Sequence, residues 1–367
     1  MPTSRKSSIS PTYNRGEWAE LYVLVKILCE QSVTVRVHGV VGAGNALDVQ
    51  RIRRGSPDDA EEFSVDEDHI ICVHVGKRIP KDEVCRHVKP LLRAIKAGKG
   101  VSFSLTIGDE LLLLLGITQL KKGGREKSDI HLDVRDPLTG ATGWQGYTVK
   151  ALVGSKPTLF NASEPTNFEY RITPQVPDHL VTHYNATNSK GKLLRGTRMM
   201  VSELMAKGHT FTLLNIDKRF RENLELLDGD MPKFLDELML AYYGYRAGKA
   251  TSVAKLLVSL EESNPLGLSN PKVRYRHKTK DFLEASAYGM VPTEPYNGER
   301  TATGGLLLVE KSGELTCFRL DDKDRSRDYL IEHTHLETAS RSKHKFGILE
   351  NHGGETRLKL NLQVRYR

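Results

Sequence analysis

The chain has 367 residues, 38% hydrophobic and 27% charged, with 54 Lys and Arg against 46 Asp and Glu for a formal charge of +8. That balance fits one large or two ordinary globular domains and favours a polyanionic partner without naming one. No apolar run reaches the ~18 residues of a membrane span. The cysteines Cys29, Cys72, Cys85 and Cys317 form no C-x-x-C pair and suggest neither a zinc knuckle nor a disulfide framework. Met1 to Pro11 lacks an apolar stretch for export, so a reduced cytoplasm is the expected setting.

After that polar leader, Gly16 to Leu28 has helical periodicity, with Trp18, Leu21, Tyr22, Val25 and Leu28 recurring three and four apart as a core stripe. Glu17 and Glu20 share a neighbouring face near the positive end of that helix. They form an acidic first turn, or one of them reaches a site as a carboxylate ligand. Val33 to Val41 alternates as a strand and runs into Gly39, Gly42 and Gly44. Their G-x-x-G-x-G order has no following Lys-Ser/Thr, so a turn between strands is expected rather than a phosphate cradle. His69 to Val75 reads as a strand, Lys81 to Ala97 as a basic amphipathic helix, and Leu111 to Leu115 as a core strand or a buried turn of helix.

The chain centres on a hairpin. Ile130, Leu132 and Val134 alternate with His131, Asp133 and Arg135; Tyr147, Val149 and Ala151 alternate with Thr148 and Lys150. Asp136-Pro137-Leu138-Thr139-Gly140 supplies turn chemistry between them. Pairing symmetric about Thr139 places Asp129 opposite Lys150, within roughly 5 Å at Cβ. A carboxylate beside an ammonium can hold a hard cation and polarise a phosphate; it is equally an ordinary cross-strand ion pair.

The small polar residues from Leu152 to Tyr170 could bring donors to a phosphate chain or simply connect elements. From about Asp178 helices are expected at Gly196–Met205, Asp217–Leu227, Met231–Tyr243 and Thr251–Glu261, with Asp230 as an N-cap and Pro232 in the first turn. Lys272 to Lys278 alternates cationic and aromatic residues, either for DNA contact or as a solvated surface strand. The C-terminal part reads as β-rich: Gly304–Glu310, Leu315–Leu320, and a hairpin of Lys345–Glu350 and Leu358–Arg365 about His352-Gly353-Gly354. His333 and His335 have a strand's metal spacing but no third ligand nearby.

Several blocks resemble the HpaII restriction endonuclease family: Gly16-Glu17-Trp18-Ala19-Glu20-Leu21-Tyr22, Lys127-Ser128-Asp129-Ile130 with Gly146-Tyr147-Thr148-Val149-Lys150, Thr158 to Ser163 and Thr166-Asn167-Phe168. Gly289-Met290, Gly304-Gly305, Lys345-Phe346-Gly347 and Lys359 to Arg365 extend the similarity nearly end to end. The resemblance implies an α/β fold with a PD-(D/E)XK-like nuclease core, a mixed sheet flanked by helices, over residues 1–175. A helical and then β-rich DNA-recognition region over 176–367 follows. It implies a type II restriction enzyme of the prokaryotic cytoplasm, using Mg²⁺ to cut both strands of double-stranded DNA at a short site, CCGG or related.

Asp129 takes the acidic position and Lys150 the lysine. Thr148 stands where the superfamily has Asp or Glu, and threonine cannot replace a carboxylate as a strong magnesium ligand. Glu20, or else Glu17, is the expected second acid, with Gln145 as a neutral oxygen and a backbone carbonyl near Val149. Ser155, Asn161, Ser163, Asn167, Arg274, Arg276, Lys278, Lys343 and Gln363 are candidate DNA contacts. Cutting both strands implies a homodimer on DNA and, to protect the host, a cognate DNA methyltransferase. The alternatives are a non-catalytic DNA-binding protein derived from a nuclease and a methylation-dependent endonuclease.

Overall fold

A computed structural model describes residues 11–37, 40–55, 59–120, 127–137, 139–154, 156–189, 191–246, 248–319 and 323–367. The chain forms two compact units, Met1–Pro157 with Thr301–Lys323 and Thr158–Arg300 with Asp324–Arg367. It leaves the first unit at Pro157, before the expected division at 175, and returns at Thr301 to lay two more strands in the first unit's sheet.

In the first unit, Tyr13–Asn14 (β1) leads into a helix at Arg15–Glu30 (α1). The Asn14 side chain accepts from the Glu17 amide, and the Glu17 carboxylate accepts from the Asn14 amide at 2.7 Å, a reciprocal capping box. The expected stripe of Trp18, Leu21, Tyr22, Val25 and Leu28 is buried, and so are Val23, Leu24 and Ile27 between its members. A helix apolar on this many sides belongs inside a core. The elements that follow are Ser32–Val37 (β2), Val40–Arg54 (β3), Glu61–Val65 (β4), His69–Cys72 (β5), Lys77–Pro80 (β6), Lys81–Cys85 (α2), Val88–Ala97 (α3), Ser102–Phe103 (β7), Thr106–Leu115 (α4), Ile130–Arg135 (β8) and Thr142–Ala151 (β9). Gly305–Val309 (β13) and Leu315–Arg319 (β14) complete a nine-stranded sheet of order β2-β14-β13-β9-β8-β3-β4-β5-β6. β13 runs parallel to β9 and β14 parallel to β2, and the other neighbours are antiparallel, so the sheet is mixed. Ile130, Leu132, Tyr147, Val149, Leu307 and Val309 join the α1 residues in one core.

Several expectations change here. Gly42 and Gly44 lie within β3, not in a turn, and Gly39 is outside the described residues. The strand from His69 ends at Cys72, where Val73–Val75 form a short 3-10 turn. The helix from Lys81 divides into α2 and α3; Leu111–Leu115, expected as a core strand or a buried turn of helix, takes the second form as the end of α4. Cys29 on α1 and Cys85 on α2 form a disulfide with Cα atoms 5.6 Å apart, whereas Cys72 and Cys317 are free and buried. Partners 56 residues apart leave no spacing motif, which is why the sequence suggested no bond. Among the described residues no helix is long and apolar enough to cross a membrane.

The second unit has two sheets. Thr158–Phe160 (β10), Val364–Tyr366 (β18) and Thr334–Leu336 (β15) form one in that order; Thr210–Ile216 (β12), Asn167–Thr173 (β11), Glu355–Asn361 (β17) and Leu349–His352 (β16) form the other. The helices are Asp178–Asn185 (α5), Thr197–Ala206 (α6), Lys218–Leu227 (α7), Met231–Tyr243 (α8), Val253–Ser263 (α9), Pro271–Tyr288 (α10), Lys323–His333 (α11) and Arg341–His344 (α12). Asp217 caps α7 through the Phe220 amide at 3.1 Å. Asp230, the expected cap of α8, makes no capping bond and pairs with Lys233. The Lys272–Lys278 run is no strand but the first half of α10, where Tyr275, Lys278, Thr279 and Phe282 turn one face inward at spacings of three and four.

Candidate active site at the open end of the central hairpin

The hairpin pairs Ile130 with Tyr147 and Arg135 with Thr142. Its turn is closed by the Asp136 amide on the Ala141 carbonyl at 2.9 Å, so the strands are symmetric about a point just before Thr139. Asp129, whose amide donates to the Tyr147 carbonyl at 2.9 Å, therefore meets Thr148 first. Lys150, two residues further along the same face, reaches back to it diagonally.

The Asp129 Oδ2 accepts from the Val149 amide at 2.6 Å and from the Thr148 hydroxyl at 3.1 Å, with the Lys150 Nζ 3.9 Å away. Lys150 donates to Thr148 Oγ1 and to the Val149 carbonyl, both at 3.0 Å. Thr148, in the position where an acid was expected, thus bridges the other two side chains. It is buried, while Asp129 and Lys150 keep 30% and 20% of their side-chain surface, enough for a substrate to reach them. Two groups remain available among the described residues: the second Asp129 oxygen and the third N–H of the Lys150 ammonium.

β9 is fixed on both sides, by β8 and by β13, where Lys150 pairs with Leu308. The segment before β8 is clasped to the returning chain: the Lys127 amide donates to Thr301 Oγ1 at 2.9 Å and the Ser128 hydroxyl to the Thr301 carbonyl at 2.5 Å. Gly146 allows that clasp, since a Cβ there would lie 2.3 Å from Ser128 Oγ and 2.7 Å from the Thr301 carbonyl oxygen.

Glu20 of α1 is half-buried. Burial first, and then the Asp129 charge, push its carboxyl well above the usual range, with Arg54 and Lys150 opposing. Glu17 is engaged in the capping box and only adds repulsion. Arg54 is itself buried, bonded to Glu61 at 2.9 Å and to the Leu120 carbonyl. Lys127, quoted in the sequence only as part of a motif, is a second ammonium here: burial and the neighbouring Lys150 push it down to about 8 against the pull of Asp129. Its half-buried place could not be read from the sequence.

The other two expected members stand differently. Gln145 lies on the opposite face of β9 from Lys150 and accepts from the Tyr147 hydroxyl at 2.8 Å, so it is no ligand beside Asp129. Val149 contributes its amide to Asp129, and its carbonyl already receives Lys150. Among the described residues no group of three or more His, Cys, Asp or Glu is placed to hold a metal, and His333 and His335 fall in different elements, α11 and β15. The Glu20 carboxyl, its pKa raised by burial and by the Asp129 charge, forms with Asp129 an oxygen donor set that suits a hard cation keeping most of its waters.

No solved structure matches the chain. Residues 14–366 match the HpaII restriction endonuclease family. The chain belongs to that family. It is 31% identical to the type II restriction enzyme HpaII of Haemophilus parainfluenzae over 361 residues, which cover 96% of this chain and 98% of that enzyme. Membership makes it a restriction endonuclease, a site-specific deoxyribonuclease.

The expected DNA contacts of this HpaII-family enzyme stand in different settings. Ser155 is outside the described residues. Asn161 is exposed; the Ser163 carbonyl accepts from Asn361, and the Asn167 side chain is held by Asn361 and the His344 carbonyl. Lys278 is buried against Asp228 at 2.5 Å, and Arg276 is paired with Asp328 at 2.8 Å, which leaves Arg274 exposed on α10. Lys343 is exposed on α12 and Gln363 half-buried before β18.

Proposed function

We propose that this HpaII-family enzyme hydrolyses phosphodiester bonds of double-stranded DNA at a short specific site, CCGG or related, with a PD-(D/E)XK-like hairpin in which Thr148 replaces the usual acid. The observation that carries the reading is the meeting of Asp129, Lys150 and the high-affinity proton site of Glu20 at one end of β9. Asp129 and Glu20 would hold Mg²⁺, which when bound supplies charge neutralisation at the phosphate and lowers the pKa of a water.

The chain's own groups do the rest. The Val149 amide holds Asp129 Oδ2 and so aims the carboxylate. Thr148 fixes the distance between Asp129 and Lys150. Lys150 gives its remaining N–H to a non-bridging oxygen of the scissile phosphate, where charge grows during in-line attack, and Lys127 adds a second positive charge beside it. The first unit provides this chemistry and the second reads DNA. A homodimer on a palindromic site would cut both strands, in a prokaryotic cytoplasm where a cognate methyltransferase protects the same sequence.

Thr148 is also the observation that favours the rival, a DNA-binding protein without hydrolysis. Plasmid incubated with the protein in Mg²⁺ and in chelator separates the two. Discrete fragments in metal alone are expected; retarded but uncut DNA in both would establish the binder.

A further inference from the structure

The four-stranded sheet of the second unit buries one face and exposes the other. On β11, Phe168, Tyr170 and Ile172 point inward while Asn167, Glu169 and Arg171 point out; on β17, Leu358 and Leu360 are buried while Arg357 and Lys359 are not. Lys359 stands opposite Glu169, and Arg357 opposite both Arg171 and Glu350, so these side chains share the outer face. At the end of this face the chain from α12 to β16 forms a wall. Lys345 ends α12 in the left-handed conformation, and the Gly347 amide donates to the Lys359 carbonyl at 2.8 Å, which ties the wall to β17 beyond the last pair of β16. Wall and sheet enclose an open cleft of about 430 Å³.

The charges in and around this cleft are unevenly matched. Arg357 is shared between Glu169 and Glu355, Arg171 faces Glu355 at 3.3 Å, and Lys345 faces Glu164 at 2.9 Å. Three cations have no carboxylate partner among the described residues: Arg341, whose guanidinium reaches the Gly191 carbonyl, and the exposed Lys359, which both line the cleft, and Lys343, exposed on α12 between the lining residues Ser342 and Lys345. Two acids line the cleft with them: Glu350, paired with His352 at 3.3 Å, and Glu169, which stands opposite Lys359 and is shared with Arg357. Surplus positive charge on an exposed sheet face, with a half-exposed Glu and Arg between, suits a duplex, whose phosphates neutralise such a rim.

We infer that the rim of Arg341, Lys343 and Lys359 seats the sugar-phosphate backbone of the DNA that this endonuclease cuts. The inference rests on the nuclease reading for its partner and on the second unit alone for its geometry. Binding of a duplex by fluorescence anisotropy in chelator, across a series of salt concentrations, tests it with the triple variant R341A/K343A/K359A. Each lost phosphate contact flattens the dependence of log Kd on log salt by about 0.9, so a slope shallower by about 2.7 is expected, with affinity down at least about tenfold on every duplex sequence. All three side chains are at the surface, and an unchanged thermal transition checks the fold. Slope and Kd equal to wild type would overturn the inference while leaving the nuclease reading intact; absence of duplex binding by the wild type would overturn both.

Discussion

Two lysine–aspartate pairs in this molecule have the same chemistry and opposite character. Lys278 and Asp228 are 2.5 Å apart, with the lysine side chain 5% exposed. Burial works against the Asp228 charge, but the Lys278 hydrogen bond and the Asp230 amide outweigh it and hold the carboxyl below its usual range. Lys150 and Asp129 are 3.9 Å apart because a threonine hydroxyl and two backbone groups take the bonds the pair would otherwise give each other. A pair closed on itself fixes the fold. A pair held open by third parties keeps a donor and an acceptor for something else.

Lys150→Ala puts this contrast to its hardest test. The cutting rate should drop about a thousandfold, the scale of losing a charge-stabilising donor, with the thermal transition and duplex affinity little changed; wild-type cutting would make the open pair as structural as the closed one. Glu20→Gln should lower cutting about a hundredfold, whereas Glu17→Gln keeps an oxygen for the Asn14 amide and should leave cutting and thermal transition close to wild type. Glu20 also carries a pH signature. It stays protonated in the folded chain where the unfolded carboxyl has ionised, so it lowers stability progressively as pH rises from the unfolded carboxylate range toward the raised folded value. In chelator the Gln variant should melt above wild type at about pH 8 and together with it at about pH 3; a lower melting point at the higher pH contradicts the assignment. The smallest effect on chemistry belongs to Lys278→Met. It should lose about 3 kcal/mol in denaturant titration by leaving Asp228 unpaired and yet cut within twofold per folded molecule.

The hairpin and its two charged residues were legible because alternation and turn chemistry act over a few residues. The register was not, since Asp136 to Ala141 closes one step earlier than the symmetric guess, and it is this shift that brings Thr148 between Asp129 and Lys150. In α10 the alternation of Arg274, Tyr275, Arg276 and His277 imitates a strand over a short window; the helical period appears only when Phe282 is counted with Tyr275 and Lys278. Lys127 and the Cys29–Cys85 bond were beyond reach for another reason. Each depends on a partner brought close only by the folded chain, Thr301 in one case and a residue 56 positions away in the other.

The return of the chain at Thr301 has a consequence for synthesis. A nascent polypeptide that has emerged only as far as Arg300 contains Asp129, Lys150 and Glu20, but β9 then ends the sheet as an open edge, with the amides and carbonyls that face β13 unmatched and no Thr301 to hold Ser128. Long-range pairing of this kind is slow to form. The end of the hairpin that carries Asp129 and Lys150 is therefore completed only after most of the second unit has been translated.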